Sequence, residues 1–289
     1  MDAHSLVRDI TTLASLPGAC VRVMALADDP GASAQRIAEV VAHDPALAAR
    51  LLKLVNSAAY GLPHPVDALD TAVRVCGTEA LRSLALASSA VSAFASIPNE
   101  LVDMHTFWNA SVHCGLLARA LARIARLPQP ERLFAGGLLH AVGQLVMYHK
   151  VLALAQSILD ALRADPQRRA DIETRLCGFT YADVSGALLE AWGLPASLVE
   201  PVRCHLRPGA ATAFPQDAAL LNIAREVTIL VEPGIKTDAR GARPEPAIAP
   251  PVWAQSQLVP SVLPAALEQV DAHWFEVIEI LNPGGSLVY

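Results

Sequence analysis

The sequence lacks the long apolar run that a membrane-spanning helix requires. No stretch of about 20 apolar residues occurs in the 289-residue chain. The nearest, SLALASSAVSAFASI (83–97), is short, rich in serine and followed by Pro98. The N-terminus, MDAHSLVRDI, carries charges where a signal peptide has its apolar segment. We therefore expect a cytoplasmic protein with no membrane span.

Paired cysteine motifs are also missing. The five cysteines are Cys20, Cys76, Cys114, Cys177 and Cys204, and no two of them form a CxxC pair. Scattered cysteines of odd number are typical of reduced, mostly buried thiols. The pattern argues against a disulfide framework and against a zinc knuckle.

An excess of positive charge is absent, since the formal net charge is −6. One local exception is the basic stripe of Arg119, Arg123 and Arg126, spaced i, i+4, i+7 near the end of a predicted helix. Cations suit a helix C-terminus, so we interpret the stripe as a solvated face. Without interleaved aromatic residues or a basic recognition helix, the sequence argues against nucleic-acid binding.

Period-two alternation is absent too, and nearly every periodic segment has helical spacing. Apolar residues make up 53% of the chain, enough for substantial cores. Asp44 followed by Pro45 predicts a helix start, with Leu47, Leu51 and Leu54 on one face. The sequence therefore predicts an all-α protein.

The helical segments fall into two parts. The break at SIPNE (96–100) predicts an N-terminal helical part over 1–97 and a second helical part over 98–289. Residues 232–264 hold seven of the 21 prolines, which predicts a long loop and the most mobile segment. AALEQVDAHWFEVIEIL (265–281) predicts one final amphipathic helix, and LLHAVGQLV (138–146) a helix with His140 in its middle.

Four stretches together resemble the HDOD family, the HD-related output domains of bacterial signalling. They are HDPALAARLLKLVNSAAYGLPHPVDALDTAVRVCG (43–77), FWNASVHCGLLARALA (107–122), FAGGLLHAVGQLV (134–146) and GFTYADVSGALLEAWGLP (178–195). Their order and spacing agree with the family over nearly the whole chain. The resemblance implies an N-terminal helical bundle packed on a degenerate HD-like fold that includes the final helix.

The resemblance also implies what has been lost. Catalytic HD enzymes hold metal with a histidine, an adjacent His-Asp pair and a later aspartate. Matched by position, these ligands fall on Ala110, on His140 with Ala141, and near Arg225, while an additional histidine of some members falls on Tyr181. Only His140 remains a donor, so we expect no metal, no cofactor and no enzymatic activity.

An alternative reading remains open at this point. His113 lies one helical turn from Ala110, and Cys204 with His205 follow a later helix. With His140, these residues could form a rearranged site of a metal-dependent phosphohydrolase or phosphodiesterase. The leading interpretation is a non-catalytic signal-transduction module that acts through contacts with other signalling proteins.

Two candidate sites follow from the leading interpretation. The first is a remnant pocket formed by His140, His113, His205 and Arg225, in which Arg225 could accept a small anionic ligand with a hydrogen bond from His140. The second is an interaction surface at Asn56, Ser57 and Tyr60, polar groups that close an apolar helix. Local hydrogen bonding and packing at the junction of the two parts explain the same three residues without a partner.

Overall fold

The chain is all-α. The computed structural model describes residues 2–8, 16, 18–27, 32–58, 60–62, 64–94, 101–162, 169–231 and 246–281, and within these ranges it contains helices and short 3-10 turns and no strand. The helices are α1 (Ala3–Arg8), α2 (Gly18–Ala27), α3 (Ala34–Ala42), α4 (Pro45–Val55), α5 (Leu69–Ala93), α6 (Met104–Ile124), α7 (Glu131–Leu139), α8 (Val142–Lys150), α9 (Leu152–Leu162), α10 (Arg169–Cys177), α11 (Tyr181–Ala191), α12 (Ala196–Cys204), α13 (Pro215–Val231), α14 (Pro250–Ser256), α15 (Leu263–Asp271) and α16 (Trp274–Leu281).

The predicted helix start at Asp44 is confirmed, and side-chain caps begin both α4 and α11. Asp44 Oδ1 accepts hydrogen bonds from the backbone N–H groups of Ala46 and Leu47, and Pro45 occupies the first helical position of α4. Thr180 and Asp183 form a reciprocal capping box at the start of α11. These local signals act within one turn of the chain, and for this reason they are visible in sequence.

One continuous hydrophobic core connects the first half of the chain to the second. Helix α5 packs against α2, α3 and α4 on one side and against α7 on the other, while α1 lies against α11. Helix α6 is central to the second half and contacts α7, α13, α15 and α16. The predicted boundary at residue 97 lies outside the described residues and stays a prediction.

The C-terminal region corrects two predictions. The final helix is not single, because α15 ends at Asp271 and α16 begins at Trp274. Residues 232–245 of the predicted loop lie outside the described residues, but 250–256 form α14, 260–262 a 3-10 turn and 263–264 the start of α15. Prolines stand in the first turns of these elements, where their missing N–H costs nothing. These prolines mark helix starts rather than a loop.

The basic stripe is solvated at Arg123 and Arg126, which are exposed, but the prediction is wrong for Arg119. Arg119 is only 5% exposed and binds Glu131 of α7 at 3.3 Å, and the exposed Arg123 binds the same carboxylate at 2.8 Å. Arg126 lies beyond the end of α6 in a left-handed conformation. The prediction failed because the partner acid comes from another helix.

No helix within the described ranges is both long and apolar enough to span a bilayer.

Candidate functional site

His140 lies between two helices and not in the middle of one. Helix α7 ends at Leu139, His140 and Ala141 form a turn, and α8 begins at Val142. The His140 ring Nδ1 is 2.6 Å from the Gly137 carbonyl oxygen, and its own carbonyl accepts a hydrogen bond from the Ser185 hydroxyl at 2.8 Å. Both bonds hold the imidazole in one orientation at the helix junction.

Close backbone contacts position the helices around His140. A Cβ on Gly137 would lie 2.5 Å from the Cα of Gly115, so α6 and α7 touch at this point through glycine. A Cβ on Gly143 would lie 2.1 Å from the Tyr181 carbonyl oxygen, and the Gly143 N–H donates to the Ser185 hydroxyl at 2.8 Å. These contacts bring α6, α8 and α11 together around one cavity.

The cavity has a volume of about 380 Å³ and lies where α6, α8, α11 and α13 meet. Its lining contains all five positions at which the resemblance places HD metal ligands: Ala110, His140, Ala141, Tyr181 and Arg225. The remaining lining residues are Leu101, Val102, Asp103, Thr106, Phe107, Ser111, Gln144, Leu162, Arg169, Thr228 and Ile229. The positions that the resemblance matches to HD metal ligands therefore lie together around one cavity.

A chain of hydrogen bonds occupies one wall of the cavity. His205 Nδ1 lies 2.6 Å from the Val202 carbonyl oxygen, which can only accept, so this nitrogen carries the proton. His205 Nε2 must therefore accept the bond from the Tyr181 hydroxyl, at 3.0 Å. The Arg225 guanidinium lies next to the Tyr181 hydroxyl. Every group in this chain has a defined role.

The ionisation states follow from burial and from Arg225. Desolvation, together with the positive charge of Arg225, lowers the pKa of His140 to about 4, despite the Gly137 carbonyl, which raises it. Desolvation and His140 hold the pKa of His205 well below its ordinary value. Burial alone would lower the pKa of Arg225, but Tyr181 and Glu226 raise it above its ordinary value. At neutral pH, both imidazoles are therefore neutral and Arg225 is charged.

The predicted pocket residues are only partly together. His140 and Arg225 line the cavity, and His205 lies behind Tyr181 with its ring centroid 5.3 Å from that of His140. His113 does not line it. Its Nδ1 is 3.0 Å from the hydroxyl of Thr228, and its ring packs edge-on against Trp274 at 6.2 Å.

The donor set does not fit a catalytic metal. No group of three His, Cys, Asp or Glu side chains able to hold an ion occurs in the part of the chain that the structure describes. The His205 ring already uses both nitrogens, and Arg225 places a fixed cation at the cavity wall. A divalent ion there would have His140 Nε2 as its imidazole donor and would face the repulsion of a guanidinium.

One buried ion pair beside the cavity was missed from the sequence. Glu173 is 1% exposed, forms an ion pair with Arg169 at an Nε–Oε1 distance of 3.2 Å, and accepts a hydrogen bond from the Tyr181 backbone N–H at 2.7 Å. Arg169 also donates to the Tyr148 hydroxyl at 2.7 Å and lies over the Tyr181 ring. The i,i+4 spacing of Arg169 and Glu173 was a visible signal, but such pairs are usually exposed.

The candidate interaction surface is engaged within the chain. Asn56 both donates to and accepts from the backbone of Val66, at 2.7 and 2.6 Å, and so closes the loop after α4. Ser57 is 2% exposed and donates to the Leu54 carbonyl, so it belongs to the core and not to a surface. Tyr60 is half-buried with Arg119 over its ring at 5.6 Å. The exposed residues of this stretch are Asn56 and Ala58.

Solved structures of several bacterial proteins share this fold. A provisionally named phosphohydrolase from Shewanella amazonensis SB2B is 25% identical, with a TM-score of 0.74 over 96% of this chain and 98% of that one. An HDOD domain protein with unknown function from Geobacter sulfurreducens is 20% identical, with a TM-score of 0.72 over 96% and 97% of the two chains. A provisionally named signal transduction protein from Marinobacter aquaeolei VT8 is 25% identical, with a TM-score of 0.66 over 96% of this chain and 60% of that one.

A curated relative and a family model extend these similarities to the sequence. An uncharacterised protein of Treponema pallidum (strain Nichols) is 26% identical over 210 residues, which are 70% of this chain, and the chain spans about 39% of that relative's length. The family model described as the HDOD domain matches residues 13–208. Since this match covers more than half of the sequence, the chain belongs to the HDOD family.

Proposed function

We propose that this protein is a non-catalytic regulatory module of bacterial signal transduction that acts through contacts with other signalling proteins. The observation that carries the proposal is the chemistry of the cavity wall. Ala110 and Ala141 offer no donor atoms, Arg225 is a cation, and the Tyr181 hydroxyl is hydrogen-bonded to His205. Phosphoester hydrolysis by a metal centre needs several ligands and an open position for water.

Two further observations support the proposal, one for the signalling context and one for the cytoplasmic location. The Marinobacter protein with the same fold bears the name of a signal transduction protein. All five cysteines of this chain are free thiols, which suits the reducing cytoplasm in which we place the module.

The proposal is tested by metal content and hydrolysis. The purified chain is loaded in turn with Mn²⁺, Fe²⁺ and Zn²⁺, desalted, analysed for metal, and offered bis(p-nitrophenyl) phosphate, a nucleoside triphosphate and a cyclic dinucleotide. We expect less than stoichiometric metal and no product beyond that of the free ions. One tightly held ion per chain, with turnover that His140→Ala abolishes, would establish the rival phosphohydrolase and overturn the proposal.

The contact role has its own test. A photo-crosslinking residue is placed at the exposed Ala58, next to Asn56, and a control at the exposed Asp160 on α9. We expect Ala58, and not Asp160, to crosslink in cells to a defined signalling protein encoded by the same genome. Identical crosslinks at both positions would show that the stretch 56–60 is not a specific surface.

A further inference from the structure

The residues that line the cavity divide by their chemistry into an apolar group and a polar group, called here the apolar wall and the polar wall. The apolar residues are Leu101, Val102, Phe107, Leu162 and Ile229. Ala110 and Ala141 add little bulk, because both side chains end at Cβ. A volume of about 380 Å³ falls within the range of small-molecule sites in proteins. The space therefore suits a small ligand with an apolar body.

The polar wall contains two arginines that retain hydrogen-bond donors. Arg169 forms an ion pair with Glu173 and donates a hydrogen bond from Nη2 to the Tyr148 hydroxyl. Arg225 pairs with Glu226 through Nη1, and its guanidinium also lies next to Tyr181. A guanidinium has five N–H donors, so each arginine keeps donors beyond these partners. Arg169 and Arg225 are both largely buried, where a charge-assisted bond is least weakened by water.

The acidic groups are placed so that the arginines remain available to a ligand. Glu173 and Glu226 partner the two arginines but are not among the residues that line the cavity. Of the described lining residues, Asp103 is the one carboxylate. Its two oxygens accept from the N–H groups of His105 and Thr106 and from the Thr106 hydroxyl as the N-cap of α6. The cavity surface therefore presents more cationic than anionic charge.

His140 does not take part as a donor, contrary to the expectation from sequence. Its Nδ1 carries the proton, because it bonds to the Gly137 carbonyl oxygen, and its pKa of about 4 keeps the ring neutral at pH 7. Nε2 is then an acceptor only. A ligand headgroup that accepts hydrogen bonds must be held by the arginines and not by this imidazole.

We propose that the cavity binds a small organic carboxylate. Its planar headgroup pairs with Arg225 and Arg169, and its short apolar body packs against apolar lining residues such as Leu101, Phe107 and Ile229. Guanidinium groups match the geometry of a carboxylate with two parallel hydrogen bonds. This inference rests on the proposed function in one respect, that the cavity binds its ligand without hydrolysing it.

Ligand-detected NMR and calorimetry with three probes test the proposal. Hexanoate carries both features, hexanamide has the same body without the charge, and acetate has the charge without the body. We expect hexanoate to bind about tenfold more tightly than hexanamide and on the order of a hundredfold more tightly than acetate, because four methylene groups are buried. No covalent bond is made or broken, so this measurement is independent of any phosphodiester turnover.

Two variants and a control assign the binding to the cavity. Arg225→Gln should remove the preference for hexanoate over hexanamide, and Ala110→Leu should weaken both by filling the space, with helix content verified by circular dichroism. Arg74→Gln, at an arginine whose side chain is 63% exposed, should bind as the wild type does. Equal affinity for hexanoate and hexanamide, or hexanoate binding that neither Arg225→Gln nor Ala110→Leu changes, would overturn the proposal.

Discussion

Single residues determine the chemistry of the cavity. His140 occupies the position of an HD histidine, yet its Nδ1 proton is bound to the Gly137 carbonyl and its pKa is lowered to about 4. The neighbouring Tyr181 donates to His205 and lies next to the Arg225 guanidinium. The His140 and Tyr181 side chains, at positions matched to HD metal ligands, are therefore hydrogen-bonded within the protein, and the imidazoles stay neutral.

The buried histidines predict how stability depends on pH. In the unfolded chain His140 titrates near its ordinary pKa of 6.5, and in the folded chain near 4, so the unfolded state binds more protons between these values. The free energy of unfolding should therefore be constant above about pH 7 and should fall as the pH drops from 6.5 to 4. The expected slope is on the order of 1.4 kcal/mol per pH unit for each such histidine.

Urea denaturation between pH 7 and pH 4 measures this dependence. The free energy of unfolding of His140→Gln should fall less steeply with decreasing pH than that of the wild type. Part of the fall that remains is due to His205, whose pKa is also lowered by burial. His64→Gln is the matched control, since His64 is exposed. A pH profile that His140→Gln leaves unchanged would contradict the assignment of a neutral buried imidazole.

At the scale of elements, glycines set how closely the helices approach. Gly115 of α6 and Gly137 of α7 lie in direct backbone contact, and Gly143 of α8 touches α11 at Ser185. Any side chain at these positions would separate the helices that carry Ala110, His140 and Tyr181. The break between α7 and α8 directs the His140 ring towards the cavity.

Two adjacent glycines give a matched test of this packing. A Cβ at Gly137 would lie within 2.8 Å of three backbone atoms of α6, while a Cβ at Gly136 would meet nothing closer than 3.6 Å. Gly137→Ala should lower the free energy of unfolding by about 1–3 kcal/mol through overpacking. Gly136→Ala should be neutral or stabilising by up to about 1 kcal/mol, because alanine is the better helix former.

Denaturation midpoints of the two variants, compared at equal m values, provide the measurement. Hexanoate should also bind more weakly to Gly137→Ala than to Gly136→Ala, because the cavity geometry depends on the α6–α7 contact. Equal stability of the two variants would mean that the helices do not approach as closely as the structure shows.

At the scale of the whole molecule, one ion-pair cluster joins the two halves of the chain. Glu131 of α7 binds Arg119 and Arg123 of α6, and its backbone carbonyl accepts from Ser83 of α5 at 2.9 Å. Arg119 also lies over the ring of Tyr60, in the loop that follows α4. The polar interior of this junction makes the halves depend on each other.

Removing the central carboxylate should therefore affect global stability. Glu131→Ala leaves Arg119 buried without its acid, and we expect a loss of about 3 kcal/mol in the free energy of unfolding. Asp70→Ala breaks an exposed pair with Arg74 and should cost less than about 1 kcal/mol. Calorimetric scans of both variants give the comparison, and a cost for Glu131→Ala as small as that for Asp70→Ala would contradict the role of the junction.

The sequence by itself determined the helical class and the helix start at Asp44, and it showed that Ala110 and Ala141 contain no donor atom in their side chains. Each of these depends on contacts within a few residues, or on which donor atoms a side chain contains. Such local interactions can be predicted from the sequence, because the interacting groups are neighbours in the chain.

Only the tertiary structure decided where the charges and imidazoles lie. It brought Arg225 and Arg169 to one cavity, bonded His113 to Thr228 so that the His113 ring does not line that cavity, and buried Arg119 against Glu131. It also turned the proline-rich stretch around 250–264 into helix starts. These outcomes depend on partners from distant helices, and the burial that shifts the pKa of His140 exists only once those helices have packed.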